Sequence, residues 1–300
     1  MRVRTQLIRN QIPPARPVFT LAPASSRTRE LRNIYQQEVL SFLKLRPVHT
    51  VVMTSLINDN GLESSLNRGK FYGYRNAEGT LEGVALIGHT TLVEARSEDA
   101  LKALAFEARA SEVPLHLIMS EGSGAESFWN YLRSETAEPR LTCKELLFEI
   151  GFPFAVQKCA YDVRPAEMSG IDQIAEAQAE IAFRECGVDP LQKDREGFLK
   201  RVARRIEQGR IFVVFEDGQL IFKADIIAET GNVIYLEGIY VAPGRRGQGV
   251  GSSCLAKLSA DLLNRVQHIS LLSNVAFTGA HRAYLKAGYR KSGSCVTIFV

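Results

Sequence analysis

Cysteine is scarce and unpatterned in this chain: five residues, at 143, 159, 186, 254 and 295, with no C-x-x-C pair and an odd total. That excludes a disulfide framework and points to a reduced, cytoplasmic compartment. The five histidines, His49, His89, His116, His268 and His281, fall at no ligand spacing, so no metal is expected. No stretch approaches the ~20 apolar residues of a membrane helix, and no membrane partner is expected. A net charge of +4 over 300 residues, with the arginines scattered, argues against nucleic acid as a partner. Acidic residues are missing altogether from positions 1–29, which hold Arg2, Arg4, Arg9, Arg16, Arg27 and Arg29 and prolines at 13, 14, 17 and 23. Such a segment buries little and reads as a disordered tail. It lacks the apolar core of a secretory signal, and its second reading is an Arg-rich organelle transit peptide.

What the chain does hold is enough apolar material for a core, 45% hydrophobic against 23% charged, at a length that favours two domains. Its most informative stretch runs from Leu236 to Ser253, LEGIYVAPGRRGQGVGSS. An apolar strand ends at Pro243, a loop of glycines and arginines follows, and a helix then carries Leu255, Leu258, Leu262 and Leu263 on one face. Glycines at 247, 249 and 251 let backbone approach a ligand closely, so successive N–H groups can converge on an anion. The helix that starts there adds its unpaired amides and positive dipole end. The loop is not a P-loop, because no Lys precedes Ser252 or Ser253. Nor is it a dinucleotide fingerprint: Ser252 stands where Gly or Ala belongs, and no acidic residue occurs in Ile269 to Asn274.

The arrangement Arg246, Gly249 and Gly251, as Arg-x-x-Gly-x-Gly after a strand ending Val-x-Pro, resembles the pyrophosphate-binding loop of the GNAT acyl-CoA N-acetyltransferase superfamily. The resemblance extends through a strand at Ile269 to Ser273, then Asn274, then Ala280, Tyr284, Gly288 and Tyr289 in the order that closes GNAT proteins. It covers about residues 160–300. One departure is that the Asn often found near the start of the last helix is here Phe277 or Thr278, which leaves Asn274 to supply any side-chain contact to the CoA arm.

Along the chain, Leu31, Ile34, Tyr35, Val39, Leu40 and Phe42 recur at helical spacing, and Pro47 suits the first turn of a second helix. Residues 70–88 read as a hairpin with a Glu78-Gly79 turn, Thr91 to Glu94 as a strand, and Ser97 as the cap of a helix reaching Arg109. Leu115 to Met119 and Lys144 to Ile150 read as strands around a helix holding Phe128, Trp129 and Leu132. From Tyr161 the order repeats: helices, a hairpin at residues 211–227 with an Asp217-Gly218 turn, then the strand before the glycine loop. The first half has no such loop. After Val93 its helix opens Ser97-Glu98-Asp99, carboxylates where a phosphate would need to sit. The expected fold is therefore α/β of the α+β kind, two GNAT-like domains at about 30–155 and 160–300, each a mixed, mostly antiparallel sheet flanked by helices. This is similar to bacterial tandem GNAT proteins with a degenerate N-terminal domain. Gly187-Val188-Asp189-Pro190 and Phe222-Lys223-Ala224-Asp225 match motifs of that group.

The resemblance implies acetyl-CoA as cosubstrate and an amine-bearing acceptor, small molecule or peptide. Its pantetheine arm is expected beside Ile239 and Val241. Its pyrophosphate is expected on the backbone amides of Gly247, Gln248, Gly249, Val250, Gly251 and Ser252, with Arg245 and Arg246 alongside. Tyr284 stands where many GNAT enzymes keep a general acid near the CoA sulfur, and it also suits core packing on an amphipathic helix. Glu237, a carboxylate in an otherwise apolar strand, is the candidate base, since burial raises its pKa. It can equally turn to the open face or pair with Lys223 or Arg246. Glu185 and Asp189 are weaker candidates for amine recognition, and Lys223 with Asp225 on one strand face reads as a structural ion pair. The rival class is a binding module that holds CoA, or no longer does, and acts through its surface.

Overall fold

The computed structural model describes residues 27–134, 136–155 and 158–300. The first half holds strands β1 (Thr28–Glu30), β2 (Gly69–Arg75), β3 (Leu81–Gly88), β4 (Thr90–Ala95), β5 (Leu117–Glu121) and β6 (Leu141–Gly151). Its helices are α1 (Gln36–Lys44), α2 (Val51–Asn60), α3 (Glu98–Ala110) and α4 (Gly124–Leu132). The second half holds β7 (Arg164–Pro165), β8 (Ile211–Glu216), β9 (Gln219–Glu229), β10 (Val233–Val241), β11 (His268–Asn274) and β12 (Arg290–Phe299). Its helices are α5 (Ile171–Cys186), α6 (Pro190–Lys193), α7 (Arg195–Glu207), α8 (Val250–Leu262) and α9 (Thr278–Lys286).

These strands form one sheet in the order β1-β2-β3-β4-β5-β12-β6-β11-β10-β9-β8-β7. Only β4 with β5 and β10 with β11 pair parallel; the remaining ladders are antiparallel. The order is symmetric about the junction of β12 and β6, so each half repeats the other. The two closing strands are exchanged: β12 pairs with β5 of the first half, and β6 pairs with β11 of the second. The burial pattern shows the same exchange. Val296 and Ile298 of β12 pack in the core of Phe128 and Leu104, while Phe148 and Ile150 of β6 pack with Leu255, Leu271 and Tyr284. The mixed, mostly antiparallel sheet was expected. The joining of two sheets into one was not, because partner choice between antiparallel strands leaves no local trace in either strand.

Two local expectations are corrected. Thr28 and Arg29 lie in β1, paired with Tyr74 and Gly73 of β2, so this end of the expected tail is ordered; residues 1–26 lie outside the described residues. The second helix begins at Val51, not near Pro47, because residues 45–50 form turns in which the Thr50 hydroxyl donates to the carbonyls of Leu43 and Arg46. Ser97 caps α3 as expected, its Oγ accepting from the Ala100 amide at 3.2 Å. Among the described residues no helix is long and apolar enough to cross a membrane, no group of ligands could hold a metal, and the five cysteines are free.

Candidate active site

The site begins where two strands part. The ladder of β10 with β11 runs only from Val233 opposite His268 to Leu236 opposite Leu271. Beyond it β11 stays with β6 as far as Asn274 opposite Glu145, while β10 follows β9 through a bulge between Glu237 and Tyr240. A wedge therefore opens in the sheet from Glu237 onward, leaving one edge of residues 237–241 free of a neighbouring strand.

The bulge is held by a buried polar knot. Gly238 has φ +61, and a Cβ there would sit 2.8 Å from both Gln178 Oε1 and Lys223 Nζ. Lys223, fully buried, donates to Gln178 Oε1 at 2.6 Å and to the Gly238 carbonyl at 3.1 Å, and pairs with Asp225 Oδ1 at 2.7 Å. Arg205 stands 3.6 Å from the other Asp225 oxygen. Burial pulls the Lys223 pKa down and Asp225 opposes it. Such a knot costs desolvation, and removing one partner would strand a buried charge. Its use here is to fix the departure of β10 from the ladder.

Glu237 is half-buried beside this knot. Burial raises its pKa, and the Tyr235 hydroxyl, which hydrogen-bonds its carboxylate, partly offsets the rise. Among the described residues it makes no ion pair: Lys223 is taken by Asp225 and Arg246 by Glu180. Two further carboxylates share its electrostatic surroundings. Glu185, at the end of α5, is lifted to about 7 by the protein packed around its carboxyl and then by Glu237 and Glu145, although the residue opens to solvent. Glu145, on β6, accepts from Thr297 Oγ1 at 2.6 Å; burial and Glu237 raise its pKa against that bond. Asp189 has another role, its Oδ1 accepting from the Leu191 amide to cap α6, with Pro190 in the first turn.

Tyr284 approaches from α9 with its side chain almost enclosed, hydrogen-bonded to Ser273. Burial pushes its phenol up to about 12, so it holds its proton throughout the neutral range. Its ring also packs edge-on against Phe148, centroids 5.4 Å apart, so it serves the core as well.

The glycine loop lies at the far end of β10. Gly247 and Gly249 take φ +80 and +84, with nothing within 4 Å of where a Cβ would stand, and Gly249 is the residue from which α8 starts. Gly251 has no room for more: its Cβ would meet Val241 Cγ2 at 3.0 Å. Val250 is fully buried and anchors the helix start, and Ser252 Oγ donates to the Gly249 carbonyl at 3.0 Å. Gln248 closes the loop on itself, Nε2 to the Gly244 carbonyl at 2.8 Å. Ile239 and Val241 are half-buried against the α8 core. This open, left-handed, amide-rich turn at a helix start fits a pyrophosphate. The arginines are otherwise engaged. Arg246 binds Glu180 at 2.9 Å and the Val241 carbonyl at 3.0 Å, and Arg245 forms a close ion pair with Glu216. Asn274 spends its side-chain oxygen on the Ala276 amide at 2.9 Å, shaping the turn into α9.

The first half has the same wedge without the cradle. Its parallel ladder stops at Leu92 opposite Met119, and α2 fills the space beyond it, leaving a cavity of about 60 Å³ bordered by His49, Met53, Glu94 and Tyr235. Arg46 bridges Glu94 and Glu121 there. Tyr235, Gly238, Gln178, Ser273, Glu145 and Thr297 were not singled out from the sequence. Of these, Gly238 carried a signal, a glycine inside a strand pattern.

Residues 171–289 match the Acetyltransferase (GNAT) family. The matched stretch runs from the start of α5 to the residue before β12 and lies wholly in the second half. No curated protein matches the chain. Among solved structures it is similar to a Drosophila protein with TM-score 0.64 at 13% identity, covering 91% of this chain and 98% of that one. A GNAT acetyltransferase from Colwellia psychrerythraea gives TM-score 0.57 at 12% identity over 91% and 99%. A tandem GNAT protein from the clavulanic acid biosynthesis pathway gives 0.55 at 12% over 91% and 97%. At these identities the likeness is one of fold, and it extends over both halves.

Proposed function

We propose that the chain transfers an acetyl group from acetyl-CoA to a primary amine, in a site formed by residues 160–300, with residues 30–155 a related domain lacking a cofactor cradle. The observation that carries this reading is the wedge itself. Glu237, held by the Tyr235 hydroxyl, borders it on one side and Tyr284 with Ser273 on the other, and the Gly249 turn lies at its far end.

Amides from Gly247 to Ser252 hold the pyrophosphate, and the unpaired edge of Ile239 to Val241 takes the pantetheine arm as a strand would. The bound thioester supplies the acetyl carbon. Glu237, its pKa raised by burial, accepts a proton from the incoming ammonium, so that a neutral nitrogen forms the new C–N bond. As the C–S bond breaks, Tyr284 gives its proton to the departing sulfur, and the second proton released by the new amide nitrogen returns to the phenol through solvent. Holding amine and thioester together in one cleft removes much of the entropic barrier.

Calorimetry with CoA, followed by thiol release from acetyl-CoA across a panel of amines, tests the proposal. Binding and amine-dependent release are expected. A wild-type protein that fails to bind CoA at millimolar concentration refutes it, and binding without thiol release assigns the chain to the rival class of CoA-holding interaction modules.

A further inference from the structure

The exchange of closing strands places a residue of the first half in the second half's wedge. Glu145 sits on β6, opposite Asn274 of β11 on one side and Cys295 of β12 on the other. Thr297, itself buried, fixes its carboxylate through the 2.6 Å bond. The end of α5 rests on the same strand: Cys143 Sγ lies 3.8 Å from the Glu185 carbonyl, and Arg140 donates to the Cys186 carbonyl at 3.0 Å. Glu145, Glu185 and Glu237, from β6, α5 and β10, stand close enough that Glu237 raises the pKa of both of the others.

The cations near them are otherwise engaged. Lys223 and Arg205 are held by Asp225, and Arg184 lies over the Phe277 ring at 5.6 Å. That last contact also brings the end of α5 against the turn that leads into α9. The two segments expose apolar surface beside the carboxylates: Phe183 is 58% exposed and Val275 46%, and the Val275 amide donates to the carbonyl of Lys144, the residue before Glu145. Exposed apolar side chains at the rim of an anionic cleft are complementary to a cation with an apolar body.

We propose that Glu145, lent by the first half, is a specificity-determining residue of the acceptor site, and that the acceptor is a primary amine with an apolar body and no carboxylate beside its nitrogen. This rests on the acetyl-transfer reading of the site. The ammonium sits between Glu145 and Glu185 and passes its proton to Glu237, the apolar body lies on Phe183 and Val275, and an α-carboxylate is repelled by all three glutamates.

The test is acetyl-CoA turnover by the full chain with phenethylamine, phenylalanine and spermidine, repeated for Glu145→Gln and Thr297→Val. Phenethylamine is expected to exceed phenylalanine in kcat/KM by at least a hundredfold and spermidine by at least tenfold. Glu145→Gln is expected to raise KM for phenethylamine about tenfold or more, with the CoA dissociation constant unchanged. Thr297→Val, which frees the Glu145 carboxylate without removing its charge, is expected to give a smaller rise in the same direction. Equal use of phenylalanine, preference for spermidine, or an unchanged KM in Glu145→Gln overturns this inference while leaving acetyl transfer standing. Absence of thiol release with every amine overturns both.

Discussion

Replacing Glu180 and Glu216 together by glutamine asks what the loop arginines cost the cofactor. Arg246 and Arg245 each hold a carboxylate through Nη2, so turning both guanidinium groups toward a phosphate breaks two ion pairs whose side chains are all 38–43% exposed. Exposed pairs are worth about 0.2–1 kcal/mol each. Freeing both arginines should therefore favour binding by about 0.4–2 kcal/mol, which is roughly 2- to 30-fold in the dissociation constant. Isothermal titration of CoA into the wild type and the double variant measures this directly. Salt adds a second readout. It loosens the arginine pairs and screens the phosphates alike, so the wild-type affinity should fall less steeply with ionic strength than that of the variant. Tighter binding that disappears when Arg245→Ala and Arg246→Ala are added would complete the case. Unchanged or weaker binding in the double glutamine variant would refute it, placing both arginines outside the cofactor's reach.

Tyr284→Phe should lower kcat on the order of a hundredfold at unchanged CoA affinity, because the proton is used only as sulfur departs; an unchanged rate when chemistry limits turnover would reduce Tyr284 to its packing against Phe148. Gly249→Val should abolish CoA binding by opposing the φ of +84, and Gln248→Ala should change it little, which the same titration reads. Burial of the Glu185 carboxyl, with Glu237 and Glu145 nearby, pushes it up to about 7 from the ordinary 4.5, so the native state holds the extra proton between these values and stability declines as pH rises through that window. Glu185→Gln should accordingly raise the melting temperature at pH 8 relative to wild type by more than at pH 5, and a difference independent of pH would exclude the shift. Phe148→Ala, which empties a core site filled across the strand exchange, should cost about 3–5 kcal/mol and lower both halves in one unfolding transition; two separated transitions would show that the halves unfold independently.

The parts of the molecule that were legible from sequence are those whose physics is local. The turn at Asp217-Gly218, the Ser97 cap and the glycine loop each follow from a few consecutive residues, and the structure forms the elements they announce. Glu237 stood out because one carboxylate interrupts an apolar strand. The knot around Gly238 was only half visible: Lys223 and Asp225 share a strand face, but Gln178 joins them across 45 residues of chain. The pairing of Arg246 with Glu180 spans 66 residues, and that of Thr297 with Glu145 spans 152. Neither partner is marked in sequence, since an exposed arginine has many carboxylates within reach. Strand exchange was illegible for a similar reason. The alternation in β6 and β12 suits either neighbour equally, and the choice between them is made by the assembled sheet.

That exchange has a consequence for how the chain is made. β6 leaves the ribosome flanked by neither of its eventual partners, and about 140 residues separate it from β12. At ~5–20 residues per second this interval is about 7–30 s, during which an eleven-residue strand exposes hydrogen-bonding groups along both edges. β5 likewise waits for β12 before its open edge is covered. The first half therefore cannot finish folding ahead of the second, and a nascent chain stalled near residue 160 presents two sticky strand edges. The charged residues along β6, Lys144, Glu145 and Glu149, act during that delay as gatekeepers against pairing with another chain.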